Sequence, residues 1–170
     1  NKVDGVVTAS LEERKDSKFT RNEVTRLYSH NANVDEENAK ELNRLSGDEL
    51  RYMMEASGAP AIVKFLKGGC LAPEILMLKK KAKVMFVKNN FEKGYVNGTL
   101  GTVVDFDGET GYPAILAFNG RKIIASPETW TVEENGKVLA RISQVPLRLA
   151  WAITIHKSQG MTLDAAEIDL

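Results

Sequence analysis

Three turn dipeptides, Asn97-Gly98, Asp107-Gly108 and Asn119-Gly120, divide the middle of this chain into short segments. Asn-Gly and Asp-Gly are typical of tight hairpin turns because these residues tolerate positive φ. The β-favouring segments around them are Lys83–Lys88, Leu100–Phe106, Ala114–Phe118, Lys122–Ala125, Thr129–Val132 and Val138–Val145. Strands this short and closely spaced predict a small antiparallel β-barrel over residues 81–145.

A different pattern precedes the predicted barrel. Glu23–Ser29 alternates in polarity and predicts a strand. A helix is expected to start near Asn31 or Asn33 and to end near Ser46-Gly47, because apolar positions recur at helical spacing between them. That stripe comprises Val34, Asn38, Leu42 and Leu45. A strand followed at once by a helix is a unit of α/β architecture.

Helical spacing also returns after the predicted barrel. Leu149, Ala152, Ile153 and His156 fall on one face of a helix that would end near Gln159-Gly160. Residues 165–170 then begin another strand. The sequence therefore predicts an α/β unit that is interrupted by a β-barrel. A short helix stopped by glycines is also expected at Pro60–Gly69.

Charge and composition limit the classes of protein that remain. The chain of 170 residues has 23 basic and 23 acidic residues, yet Ala61–Leu100 holds eight lysines against two glutamates. Such a basic stretch is either a footprint for phosphates or a solvated face. The single Cys70 excludes an intrachain disulfide and indicates a reducing compartment. No apolar run is long enough for a membrane span. Because the chain starts at Asn1 without a signal-peptide pattern, we expect a piece of a longer protein.

Several kinds of chemistry are missing from the sequence. The only Gly-Lys pair, Gly136-Lys137, is followed by Val138 where a P-loop needs Ser or Thr. No Asp-Glu pair after an apolar strand could act as a Walker B magnesium site. The histidines His30 and His156 lie far apart in sequence with one cysteine, so no metal site is expected.

The segment Ala150–Asp164, AWAITIHKSQGMTLD, has specific content. Its His-Lys-Ser-Gln-Gly run supplies positive charge, a hydroxyl, an amide and a glycine N–H at one point of the chain. Together these groups can bind phosphates. The alternative is a core helix with a solvated polar cap, and the residues by themselves do not favour either.

This segment resembles motif V of superfamily 1 DNA helicases, in the RecD-like and PIF-type branch that moves 5′ to 3′. Three collinear segments extend the resemblance to Glu23–Leu170. Leu27–Leu42 is similar to the strand and helix that open the second RecA-like domain. Leu78–Phe106 resembles the start of the SH3-like insertion in that domain, and Gln144–Ala152 resembles the return to motif V.

The resemblance implies an α/β fold in which a partial RecA-like (P-loop NTPase-type) domain, residues 23–80 and 146–170, is interrupted by an SH3-like antiparallel β-barrel at 81–145. Residues 1–22 would be a truncated tail. The implied function is that of a motor-domain fragment of an ATP-dependent 5′-to-3′ DNA helicase. The fragment alone is expected to be inactive, because Walker A, Walker B and motif VI lie outside it. ATP and Mg²⁺ would serve the full-length protein. The implied partners are single-stranded DNA and the first RecA-like domain of the same chain, with no membrane, in the bacterial cytosol or nucleoid.

The resemblance also assigns roles to individual residues. DNA contacts are expected from Thr154, His156, Lys157, Ser158, Asn31 and Asn33. Nucleotide contacts are expected from Gln159, Gly160 and Thr162. No catalytic or metal-binding residue is expected in the fragment. For Asn31 and Asn33 the alternative is helix capping.

Further DNA contacts are possible from aromatic and basic side chains. Trp151, Phe91 and Tyr95 are candidates for stacking on bases. Lys79, Lys80, Lys81 and Lys83 are candidates for the phosphate backbone. Two rival functions remain open. One is a non-enzymatic nucleic-acid-binding or partner-binding barrel at Leu78–Val145, and the other is a RecD-type motor subunit of a recombination nuclease complex.

Overall fold

The computed structural model describes residues 25–28, 31–154 and 166–168, with side chains from Val34 to Ile153. In the first half of this part, the elements are β1 (Thr25–Tyr28), α1 (Asn31–Arg44), β2 (Leu50–Met53), β3 (Glu55–Gly58), α2 (Pro60–Gly69), β4 (Ile75–Leu78) and β5 (Lys83–Phe86). The later elements are β6 (Leu100–Phe106), β7 (Pro113–Ala117), β8 (Lys122–Ile124), β9 (Glu128–Glu134), β10 (Lys137–Gln144), β11 (Leu147–Leu149), β12 (Ala152–Thr154) and β13 (Ala166–Ile168).

A parallel sheet joins the two ends of the described chain. Strand β1 lies between β12 and β13 and is parallel to both, with Leu27 opposite Ile153 on one side and Ile168 on the other. Helix α1 packs against β12. The expected α/β layer is therefore confirmed, although more than a hundred residues separate its two parts in the sequence.

The helix predicted from Leu149 to His156 is wrong over its described part. Leu149 ends β11, which pairs with β5, and Ala152–Thr154 forms β12. A short apolar run fits a buried strand as well as a helix, so periodicity could not separate them. The residues form strands because β11 pairs with β5 and β12 pairs with β1, and both partners are distant in the sequence.

The middle of the chain forms open antiparallel sheets. Five strands are ordered β11-β5-β6-β7-β8, while β9 and β10 belong to a separate sheet ordered β3-β10-β9. A third pair is β2 with β4. The closed barrel predicted for residues 81–145 is therefore not seen among the described strands. The turn dipeptides do give hairpins, but β10 has β9 on one edge and β3 on the other, so neither edge is available to close the five-stranded sheet.

Strands β2, β3 and β4 were not expected from the sequence. Their residues lack strong alternation, and every residue of β3 is exposed. Gly58 shows why β3 can lie against β10: its φ is +112°, and a Cβ there would come within 2.3 Å of the Leu139 carbonyl oxygen. Glycine alone fits both the backbone conformation and the close approach.

The main core lies between the five-stranded sheet and the β2–β4 pair. Its fully buried members include Phe86, Leu78 and Leu147, and the Phe86 ring stacks on Tyr95 with centroids 4.0 Å apart. Gln144 is buried at the end of β10 and donates through Nε2 to the Pro73 carbonyl at 2.9 Å. In the described residues, no helix is long and apolar enough to cross a membrane.

Candidate nucleic-acid interface

Two of the candidate DNA-binding segments start from the same edge of the parallel sheet. Tyr28 is the last residue of β1 and lies opposite Thr154, the last residue of β12. Helix α1 begins at Asn31, directly after β1. Because the carboxyl ends of neighbouring parallel strands share one edge, Thr154 and the first turn of α1 both belong to that edge. This is where open α/β sheets bind their ligands.

Most of the predicted site lies outside the described residues. This applies to His156, Lys157 and Ser158 among the DNA candidates and to Gln159, Gly160 and Thr162 among the nucleotide candidates. Asn31 and Asn33 are both within helix α1, so Asn33 lies inside the first turn and does not precede it as an N-cap residue would. Their roles in binding remain predictions.

A buried side chain ties α1 to the strand that carries Thr154. The Asn38 Nδ2 donates to the Ala152 carbonyl at 2.8 Å, and the Asn38 Oδ1 accepts from the Ala152 N–H at 3.0 Å. Asn38 is 5% exposed. The sequence placed Asn38 on the apolar stripe of α1, and a lone amide on such a stripe was the available signal of a buried hydrogen-bonding role.

Of the three aromatic candidates, Phe91 is the most exposed. Tyr95 is 2% exposed and stacks on Phe86, so the prediction that it stacks on bases is wrong. Trp151 is half-buried and packs against the main core. Phe91 is 79% exposed at the tip of the 90–95 turn.

The turn that carries Phe91 is held by one carboxylate. Glu128 Oε1 accepts hydrogen bonds from Lys93 Nζ at 2.7 Å, Asn90 Nδ2 at 2.8 Å and Tyr95 Oη at 2.9 Å. Burial acts to raise the pKa of Glu128, but these three hydrogen bonds outweigh it and keep that pKa below its usual range. Burial, together with Glu128, raises the pKa of the Tyr95 phenol. Glu128 therefore stays ionised and fixes both ends of the turn.

A cation–aromatic contact joins Lys88, just before this turn, to Trp130 on β9. The Lys88 ammonium is 4.6 Å from the centroid of the Trp130 ring and also donates to the Thr129 carbonyl. Among the candidate phosphate-binding lysines, Lys79 donates to the Leu45 carbonyl at 3.1 Å and Lys80 is paired with Asp105 at 2.6 Å. The charges of these two lysines are thus partly engaged within the protein.

A cavity of about 420 Å³ lies between α1, the end of α2 and the 70–77 segment. Arg148 lines it, and burial lowers the pKa of its guanidinium while Asp35 opposes that shift. The Lys67–Glu74 ion pair, 2.5 Å long, also lines the cavity. Where the structure describes side chains, no three of the His, Cys, Asp and Glu residues come together as metal ligands.

The chain is similar in sequence to DNA helicases. Residues 63–106 match the family model described as "DNA helicase Pif1, 2B domain". The chain is 41% identical over 196 residues to the ATP-dependent DNA helicase Pif1 of Psychrobacter sp., a match that covers 86% of the chain but 30% of that relative. The human ATP-dependent DNA helicase PIF1 is 39% identical over 168 residues. The chain thus spans about three tenths of the relatives' length.

Solved structures extend the match to the fold. Unliganded Pif1 from Bacteroides sp. superposes with a TM-score of 0.75 at 32% identity, over 86% of this chain and 46% of that one. A Bacteroides Pif1 helicase solved in complex with ADP-AlF3 and single-stranded DNA has a TM-score of 0.67 at 31% identity, over 94% of this chain and 38% of that one. The similarity in fold therefore extends over most of the chain.

Proposed function

We propose that this chain, which is similar in sequence and fold to Pif1 helicases, is part of the second motor domain of an ATP-dependent 5′-to-3′ DNA helicase. The observation that carries the proposal is the agreement in sequence and fold with helicases over most of the chain. The same agreement favours a motor over a non-enzymatic binding module. A RecD-type motor subunit of a recombination nuclease complex is the rival to this proposal.

The proposed domain organisation follows the resemblance seen in the sequence. Residues 23–80 and 146–170 would form a RecA-like motor domain, and residues 81–145 an SH3-like insertion. The parallel sheet of β1, β12 and β13 supports the first part. The antiparallel strands β5–β8 support the second, although β3 also pairs with β10 across the proposed boundary at residue 80.

The proposed mechanism uses two binding surfaces that meet near the end of β12. Thr154, His156, Lys157 and Ser158 would hold phosphates of a single strand, and Asn31 and Asn33 would approach the same strand. Gln159, Gly160 and Thr162 would face ATP and its Mg²⁺ at the boundary with the first RecA-like domain. Because one short segment would touch both ligands, closure of the two domains around ATP would move the bound strand. The proposed compartment is the bacterial cytosol or nucleoid.

His156→Ala tests the DNA side of this proposal. In the intact protein, loss of the imidazole is expected to weaken binding of a labelled single-stranded oligonucleotide, and binding should weaken steeply with salt because phosphate contacts dominate. Fluorescence anisotropy at two salt concentrations, beside a melting curve, measures both. Unchanged anisotropy in a folded variant would refute the role of His156, and a lower melting temperature alone would favour the solvated-cap alternative.

Gly160→Ala tests the nucleotide side. A methyl group is expected to crowd the nucleotide and lower ATP hydrolysis in the intact protein, while DNA affinity stays unchanged. Loss of DNA binding together with hydrolysis would contradict the separate assignment of the two surfaces.

A further inference from the structure

The Asn38–Ala152 pair is a reciprocal, fully enclosed contact between a helix and a strand. One side-chain amide satisfies both main-chain polar groups of Ala152, at 2.8 and 3.0 Å, and the two residues lie 114 positions apart in the sequence. Ala152 is completely buried. Because buried peptide groups need partners, Asn38 and Ala152 depend on each other for hydrogen bonding.

The direction of these bonds places Asn38 at the outer edge of the parallel sheet. Strand β12 is at one edge of the described sheet, whose order is β12-β1-β13. One side of β12 pairs with β1, and Asn38 lies at the other side. A primary amide carries the donor and the acceptor of a peptide group. Asn38 therefore takes the place that a neighbouring strand would have. A shift of β12 by one residue would turn the Ala152 groups away from the amide, so the pair also fixes the register of β12.

The same amide sets a distance between two candidate DNA-binding segments. Asn31 lies seven residues before Asn38, which is about 10 Å along a helix. Thr154 lies two residues after Ala152, about 7 Å along a strand. Both segments are thus positioned from one contact, and neither Asn38 nor Ala152 needs to touch DNA.

We propose that Asn38 is a positioning residue, which holds α1 and β12 in the relative placement that lets both segments contact one DNA strand. The proposal rests on the proposed function and adds to it a buried residue that acts through Thr154 and the first turn of α1. Its loss is expected to weaken the response to DNA more than it weakens hydrolysis without DNA.

The decisive variant is Asn38→Asp in the intact protein, compared with Asn43→Asp. The aspartate keeps the size and one acceptor of Asn38 but removes the donor to the Ala152 carbonyl. Asn43 is exposed on the same helix, so it provides the same chemical change without the buried contact. The measurement is ATP hydrolysis against the concentration of a single-stranded oligonucleotide, beside a melting curve.

For Asn38→Asp we expect the DNA concentration at half-maximal stimulation to rise about tenfold, since a small displacement of a binding group costs one to two orders of magnitude. Hydrolysis without DNA and at saturating DNA should stay within about twofold of the unsubstituted protein, because a change that only weakens DNA binding raises the half-saturating concentration and leaves the maximal rate unchanged. Asn43→Asp should leave all three quantities within that range.

The pH dependence of the variant separates positioning from general damage. Desolvation raises the pKa of a buried carboxyl, and a protonated aspartate has both an O–H donor and a carbonyl acceptor. Lowering the pH from about 8 to about 6 is therefore expected to bring Asn38→Asp towards the unsubstituted protein measured at the same pH. Asn43→Asp supplies the control for the titratable and charged groups that share the cavity beside Asn38, which are Asp35, Lys67, Cys70, Glu74 and Arg148.

A second measurement covers the case in which Asn38→Asp does not fold. In the unsubstituted protein, hydrogen–deuterium exchange is expected to slow together in the peptides that contain Asn38 and Ala152 when the oligonucleotide is added. Slowing of one peptide alone would overturn the coupling.

The outcomes distinguish this inference from the function on which it rests. Two results would overturn the positioning role alone. One is that folded Asn38→Asp and Asn43→Asp need the same DNA concentration for half-maximal stimulation. The other is that Asn38→Asp loses hydrolysis equally with and without DNA. No stimulation by DNA in the unsubstituted protein would overturn the proposed function and, with it, the inference.

Discussion

Buried amides and close-packed glycines tie distant segments together at the level of single residues. Gln144 Nε2 donates to the Pro73 carbonyl, and its Oε1 accepts from the Val145 N–H at 2.9 Å. Asn38 does the same for Ala152. In both cases a buried side-chain amide supplies hydrogen bonds to backbone groups, so a polar residue is required on that buried face.

Gly58→Ala tests the close approach of β3 to β10. The new Cβ would meet the Leu139 carbonyl oxygen at 2.3 Å in addition to the strained φ of +112°. Gly47 is the matched control, because its φ is +100° and nothing lies within 4 Å of a Cβ there. Gly47→Ala is expected to lower the free energy of unfolding by about 1 to 2 kcal/mol from backbone strain. Gly58→Ala should cost about 1 to 3 kcal/mol more, because the overlap forces the backbone to shift. Denaturant unfolding measures both losses. Equal losses of unfolding free energy in the two variants would contradict this prediction, because β3 would then move away from β10 at no cost in free energy.

The 90–95 turn presents an exposed aromatic ring, Phe91, that is a candidate for stacking on DNA bases. Its base is fixed by the Asn90–Tyr95 backbone pair and by Glu128, while Phe91 projects from its tip. An exposed aromatic ring on a rigid turn can stack on an unpaired base without a loss of loop entropy at binding.

Phe91→Ala tests this contact, with Phe65→Ala as its control. Both rings are largely exposed, 79% for Phe91 and 76% for Phe65 on α2, so neither change should alter stability by more than about 0.5 kcal/mol. One lost base-stacking contact costs about 1 kcal/mol or more, so Phe91→Ala should weaken oligonucleotide binding about fivefold. Equal affinities of the two variants in anisotropy titrations would contradict a role for Phe91.

Glu128→Gln tests the electrostatics of the same turn. The pKa of Glu128 is below its usual range in the folded protein, so its contribution is complete above the unfolded pKa of about 4.3 and disappears as the pH falls through the folded pKa. At neutral pH the variant should be less stable by about 1 kcal/mol. The difference in stability between the variant and the unsubstituted protein should shrink as the pH falls below the pKa of the unfolded chain. The exposed Glu92→Gln, in the same turn, is the control for the unfolding measurements, and a difference that does not vary with pH would contradict the argument.

At the scale of the whole molecule, the proposed motor needs a second domain that supplies the phosphate-binding loop. The sequence contains no P-loop, whose backbone N–H groups and lysine hold the β- and γ-phosphates. We therefore expect residues 1–170 alone to hydrolyse no ATP, with or without single-stranded DNA, and to bind DNA weakly with a steep salt dependence. Hydrolysis stimulated by DNA in the purified 170-residue chain would contradict this expectation. The intact protein is the positive control.

Local sequence determined the elements whose signals are complete within a few residues. The alternation in Glu23–Ser29, the stripe on α1, the proline and glycines that bound α2, and the turn dipeptides between β6, β7 and β8 all predicted what the structure contains. The segment Ala150–Asp164 indicated a helicase, because its order of residues is specific even where its secondary structure is not. The strand, helix and turn signals named here depend on steric and capping preferences that act within a single turn.

Only the tertiary structure decided which edges pair and which polar groups are buried. The run from Leu147 to Thr154 has helical spacing, yet pairing with β5 and β1 makes it two strands. The strands after residue 81 divide between two separate sheets, and β3, from before residue 81, pairs with β10. The sequence could not name the partners of Tyr95 and Asn38: Tyr95 stacks on Phe86, and Asn38 bonds the backbone of Ala152. Pairing and burial depend on residues far apart in the chain, so no local pattern could contain them.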